Sequence, residues 1–224
     1  MNSIKSFFAK HNLLLIVVVM FAGCSVYNAS FLSKLNLTGM MVEISYMTML
    51  TIGMTFVILT GGIDLSVGAL AGLSTVIIAR VLRDTSLGSD GFSTLMAILL
   101  AVLSCGIIGY VNGLLITLIN ISPLIVTLGM TWVTIGLSNT LVKGKPIALQ
   151  ISFLKNVLAY RIGTWVPVMT IVALVALVIA IYLLAKTKFG RSFYAVGSSI
   201  YAAHISGINT QTVLLMAYLI SGLC

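Results

Sequence analysis

Gly61-Gly62-Ile63-Asp64-Leu65-Ser66-Val67-Gly68 interrupts an almost continuous apolar background, with Met47 to Thr60 before it and Ala69 to Ala79 after it. Asp64 is one of only four acidic residues in 224. A carboxylate at membrane depth costs about 2.5–3.5 kcal/mol at a helix centre, so a local reason for it is expected. Its neighbours supply one. Gly61 and Gly62 suit the end of one helix, and Asp64 suits the cap of the next, accepting from the N–H groups of Ser66 or Val67. The octet reads as a break between two membrane helices, a discontinuity found where transporters line a pathway. Two roles stay open for Gly61, Gly62, Asp64 and Ser66: a break at a translocation path or subunit contact, or a cap that satisfies the backbone.

The rest of the chain fits a membrane setting. Hydrophobic residues make up 60% of it and charged residues 7%, with a mean hydropathy of +1.19. Soluble domains are about half apolar and a quarter charged, so this is an integral membrane protein. The formal charge of +8 comes from Lys and Arg scattered over short loops between apolar runs. That distribution is the ordinary flanking charge of membrane helices and does not describe a nucleic-acid surface. Cys24, Cys105 and Cys224 lie far apart, with no metal or redox spacing. The two histidines, His11 and His204, cannot build a metal cluster. No G-x-x-x-x-G-K-[ST] loop occurs, so any ATPase must be a separate chain. With no nucleophile–base pair, metal cluster or cofactor loop, the sequence predicts neither an enzyme nor a resident cofactor.

Apolar segments near 12–31, 40–60, 66–82, 94–119, 123–142 and 164–185 are long enough to cross a core of ~30 Å, which takes about 20 helical residues. A seventh begins near Thr212. The expected fold is all-α: a polytopic transmembrane bundle of six spans plus the start of a seventh, cut short at its C-terminus. The first span, preceded by Lys5 and Lys10, reads as uncleaved, although Phe21-Ala22-Gly23-Cys24 imitates a lipoprotein cleavage site. Asn120-Ile121-Ser122-Pro123 and the loop from Asp84 to Gly91 separate spans, and Ile151 to Tyr160 reads as a surface-lying amphipathic stretch. A cytoplasmic N-terminus puts Lys186 to Ile208 inside as well. Simple counting of basic residues does not favour that orientation, but the Lys186–Arg191 cluster is the densest.

Two glycine pairs have helical spacing: Gly68 with Gly72, and Gly109 with Gly113. Such pairs let helix backbones approach closely, within one subunit or across a dimer. Asn112 lies beside the second pair and can hydrogen-bond to a neighbouring helix. Thr187 to Asn209 is a polar excursion between apolar runs. Ser198 or Ser199 can cap a short helix that Gly207 ends. A short surface helix of this kind suits docking into a partner's groove.

Gly53-Met54-Thr55-Phe56-Val57-Ile58-Leu59-Thr60, continued by the octet, resembles the inner-membrane permeases of bacterial ribose-type sugar ABC importers. A second matching block is Phe189-Gly190-Arg191, Tyr194-Ala195-Val196-Gly197, Ala202-Ala203 and Ser206-Gly207-Ile208. Ser198-Ser199 departs from the Gly-Asn that usually follows the Gly at 197. The resemblance implies one permease domain over 1–224, incomplete because these permeases have about ten spans. It implies a cytoplasmic coupling loop at about 186–210 that meets the ATPase, through Gly190, Arg191, Gly197, Ala202, Ala203 and Gly207. It also implies a bacterial inner-membrane location and three protein partners: an ABC ATPase subunit, an extracytoplasmic sugar-binding protein and a second permease subunit. Transport then follows alternating access. Two rival readings remain: an ion-coupled secondary transporter using Asp64, and a truncated remnant without transport activity.

Overall fold

The computed structural model describes residues 12–84, 91–145, 147, 160–162 and 165–224. Helices α1 Asn12–Tyr27, α2 Lys34–Leu59, α3 Val67–Asp84, α4 Gly91–Leu118 and α5 Pro123–Val142 come first. A two-stranded antiparallel ribbon, β1 Arg161–Ile162 with β2 Val166–Pro167, then leads into α6 Val168–Lys186. Helices α7 Lys188–Ser198, α8 Ile200–Ile205 and α9 Thr210–Leu223 complete the described chain. Residues 85–90 of the expected polar loop lie outside the described residues, as do Lys5, Lys10 and most of the expected surface stretch, 151–159.

Local chemistry sets the helix ends. α1 stops at Tyr27, short of the expected 31, where Asn28 Oδ1 accepts from the Ser30 N–H at 2.9 Å and turns the chain. α2 begins at Lys34 rather than 40, because Ser33 caps it through the Asn36 N–H. Pro123 opens α5 at its first turn.

Among the described residues, α2, α4, α5 and α6 are the four helices long and apolar enough to cross a membrane. α1 has 16 residues and α9 has 14. α3 has 18 residues but ends in Arg80, Arg83 and Asp84.

The helices pack with a definite sense. α2 and α6 run in the same direction. Their N-terminal halves meet where the Ser45 hydroxyl lies 3.1 Å from that of Thr170. Their C-terminal ends meet α7, whose Gly197 lies on the Leu59 carbonyl and whose Gly190 lies on the Leu183 and Leu184 carbonyls. α9 runs antiparallel to α4: Gly106 faces Leu223, Gly109 faces Tyr218 and Gly222, and Gly113 faces Leu215. α3 packs against α4 and α5. The buried core gathers where α2, α4, α7 and α9 converge, with Phe56, Val57, Phe193, Ala217 and Tyr218 at its centre. Side chains on the outer faces stay exposed and apolar, as Leu103, Trp132 and Val178 do, which suits lipid.

One element was not legible as a helix. The polar excursion from Thr187 contains α7 as well as the short helix expected after it. Thr187 caps α7 by accepting from the Gly190 N–H at 3.0 Å, and Gly190, Phe193 and Val196 are buried along one face. Phe193 meets Phe56 edge-on at 5.2 Å between ring centroids, which fastens α7 to α2.

Candidate functional site

The octet is a turn that ends α2 and folds the chain back into the bundle. Thr60 is the C-cap of α2, and Gly61 follows at φ +78°. Gly61 N–H donates to the Ile58 carbonyl at 2.9 Å and Gly62 N–H to the Val57 carbonyl at 3.1 Å. These are the two bonds of a Schellman motif, which needs a left-handed residue where Gly61 stands. A side chain at Gly62 would strike the Tyr218 hydroxyl and Val57.

Asp64 is 2% exposed, and both of its oxygens accept hydrogen bonds. Its Oδ1 accepts from the Ser66 N–H at 2.9 Å and from the Ser66 hydroxyl at 2.6 Å. Its Oδ2 accepts from the Ser221 hydroxyl of α9 at 2.7 Å. The Asn112 amide of α4 donates to Ser66 Oγ at 3.0 Å. From α5, Thr131 Oγ1 lies 3.1 Å from the Leu65 carbonyl and Thr127 Oγ1 lies 3.4 Å from the Ile63 carbonyl. The break is therefore a polar knot joining the α2–α3 connection to α4, α5 and α9. Charge-assisted bonds of this kind are about twice as strong as neutral ones, and burial keeps water from competing for them.

Several members of this knot carry no local sequence signal. Ser221 lies 157 residues from Asp64, and it stands in no pattern that singles it out. Asn112, Thr127 and Thr131 are recognisable only as polar residues on apolar helices. The glycine pairs behave differently from each other. At Gly109 an added Cβ would meet the Tyr218 carbonyl, and at Gly113 it would lie 3.0 Å from Leu215 Cα. At Gly68 and Gly72 nothing lies within 4 Å of it. Gly68 and Gly72 thus face open space among the described residues, unlike Gly109 and Gly113.

The α7–α8 layer forms the other candidate region. Ser199 caps α8 by accepting from the Ala202 N–H at 3.2 Å, and Gly207, at φ +80°, ends it. Gly207 N–H donates to the His204 carbonyl and Ile208 N–H to the Ala203 carbonyl, each at 3.0 Å. Within this layer Gly190 and Ala203 are buried, and Gly197 admits no side chain because the Leu59 carbonyl occupies that space. Gly190 and Ala203 are buried against the bundle, whereas Gly197 is exposed and rests its backbone on Leu59. Arg191 and Ala202 are exposed. The outward face of α8 is made instead by Ile200, Tyr201 and Ile205, which are 53%, 76% and 67% exposed.

The described chain is a largely helical bundle with four helices long and apolar enough to cross a membrane, a buried polar knot and a short helical layer under two of its long helices. The chain belongs to the branched-chain amino acid transport system / permease component family, whose sequence profile matches residues 36–224. It is 39% identical to a ribose import permease of Bacillus subtilis over 89% of this chain and 60% of that one. It is 30% identical to a galactose/methyl galactoside import permease of Escherichia coli over 99% of this chain and 69% of that one. A D-allose transport system permease of Escherichia coli is 32% identical over 95% of this chain and 63% of that one. The chain thus spans about 60–69% of the length of these relatives. No solved structure matches it.

Proposed function

We propose that this chain belongs to the membrane-spanning subunit of an ATP-driven sugar importer in the bacterial inner membrane. It works by alternating access with a separate ATPase, an extracytoplasmic sugar-binding protein and a second permease subunit. The relatives named above support the sugar class. The observation that carries the mechanism is the α7–α8 layer, seated under the C-terminal ends of both α2 and α6 with an apolar, exposed outer face. Those contacts are backbone against glycine and ring against ring, so displacement of the layer moves both long helices. ATP-driven closure of the ATPase pair, acting on Tyr201 and Ile205, tilts α2 and α6. The knot at Asp64 makes the α2–α3 turn and α9 follow.

This reading assigns Asp64 the tie rather than ion coupling, since both of its oxygens already accept from hydroxyl and N–H groups. Capture of the cognate ATPase by the detergent-solubilised permease is the test. Tyr201→Glu with Ile205→Glu abolishes capture if α8 is the contact, while thermal unfolding stays unchanged because both positions are exposed. Capture that survives the double change removes α8 from the interface. Sugar uptake that follows an imposed ion gradient without ATP removes the importer reading altogether.

A further inference from the structure

A cavity of about 600 Å³ lies between α2, α3, α4, α6 and α9, with walls largely apolar. Its size falls in the range of about 300–1,000 Å³ typical of small-molecule sites. Glu43, Tyr46, Ser74, Thr75 and Ser221 are among the polar residues that line it. Glu43 also borders a second space of about 660 Å³, next to the α1–α2 connection and lined by Asn28, Ser33 and Asn36 together with Phe31, Leu35 and Ile44. The Glu43 side chain thus borders two adjoining, largely apolar spaces. It is the tenth residue of α2, about 14 Å along the helix from its start at a rise of 1.5 Å per residue. Ionisable side chains inside membrane helices face bundle interiors or water-filled cavities and mark substrate routes.

We infer that this cavity is a binding site for a neutral polyhydroxylated ligand, a monosaccharide, in which Glu43 accepts ligand hydroxyl protons and Tyr46 lies against the sugar ring. Glu43 and Tyr46 are three residues apart, so both project from one face of α2. The Ser74 hydroxyl donates to the Ala71 carbonyl at 2.8 Å, and that of Thr75 to the Gly72 carbonyl at 2.7 Å. Their protons are committed, so each presents an accepting oxygen. A carboxylate and two accepting hydroxyl oxygens complement a ligand rich in O–H donors, while apolar walls and an aromatic face take its C–H surface. Ser221 lines the chamber and donates to Asp64, so the chamber adjoins the polar knot.

The inference rests on the sugar-importer reading, and its test separates the two. The permease is reconstituted in proteoliposomes with its ATPase and binding protein, and uptake of labelled D-ribose, D-galactose and D-allose is measured. In parallel, Tyr46→Cys, with Cys24, Cys105 and Cys224 replaced by Ser, is alkylated by a water-soluble maleimide with and without each sugar. Loss of one charge-assisted hydrogen bond predicts that Glu43→Gln lowers uptake about tenfold, with partial recovery in Glu43→Asp. The transported sugar slows alkylation of Tyr46→Cys, and a sugar that is not transported leaves it unchanged. Uptake by the unmodified protein with equal alkylation in all conditions and normal uptake by Glu43→Gln overturns the site and leaves the importer. No uptake by the unmodified protein, with alkylation still slowed by a sugar, keeps the site and overturns the importer. Neither uptake nor protection overturns both.

Discussion

Asp64 shows how a single residue reconciles an apolar helix bundle with a buried charge. Burial without partners would be prohibitive, but both oxygens accept strong bonds, one set within the turn and one from α9. Replacing Asp64 by Ala strands the Ser66 and Ser221 donors, and we expect a loss of about 3 kcal/mol or more in detergent unfolding. Asp64→Asn retains one accepting oxygen and costs less, about 1–2 kcal/mol by the same reasoning. Equal stability of Asp64→Ala and the unmodified protein contradicts the tie. Gly62 supplies a second residue-scale test. Gly62→Ala drives a methyl into the Tyr218 hydroxyl and costs about 1–3 kcal/mol by overpacking. Tyr218→Phe removes the obstructing oxygen, so the double variant recovers most of the loss. Additive losses in this cycle show that the two positions do not meet.

At the scale of elements, the two glycine pairs make opposite predictions. α4 and α9 approach so closely that Gly109→Ala meets the Tyr218 backbone, and we expect about 1–3 kcal/mol of destabilisation. Gly72→Ala has open space around it and replaces a poor helix former by the best one. Thermal unfolding of the isolated chain is therefore unchanged or raised by Gly72→Ala. Destabilisation by Gly72→Ala in that chain shows that a packing contact exists there. Helix spacing is the same for both pairs, which is why sequence reading treated them alike. The difference lies in which face each helix turns towards its neighbours. α7 teaches the same lesson from the other side. Its composition is polar enough to read as a loop, yet Phe189 and Phe193 turn towards Phe56 and make it an amphipathic helix against the bundle.

For the whole molecule, the arrangement is a set of levers with two kinds of joint. Rigid joints form where glycines let backbones touch, at Gly190 and Gly197 beneath α6 and α2. Polar joints form where Asp64, Ser66, Asn112 and Ser221 hold α4, α9 and the α2–α3 turn together. Gly197→Val separates α7 from the Leu59 carbonyl. We expect it to uncouple ATP hydrolysis from sugar uptake in proteoliposomes while the ATPase still binds. Uptake that stays proportional to hydrolysis in this variant rules out the α7–α2 joint as the transmitting contact.

The sequence by itself determined the membrane setting, the helical class, the break at Gly61–Ser66 and the end of the short helix at Gly207, and it narrowed that helix's cap to Ser198 or Ser199. Each of these rests on interactions between residues a few positions apart or on composition summed over a window. It also carried the family resemblance, because the two blocks stand in order along one chain. Only the tertiary structure decided which helices the break is bonded to. Ser221 reaches Asp64 across 157 positions, and Asn112 and Thr131 arrive from other helices. It also decided that Gly109 and Gly113 face a partner helix while Gly68 and Gly72 do not, and that Ala203 points inward. The physical reason is the same in every case. Local bonds are written in neighbouring residues, whereas packing and long-range polar contacts depend on how each helix is rotated against the others, which no short pattern encodes.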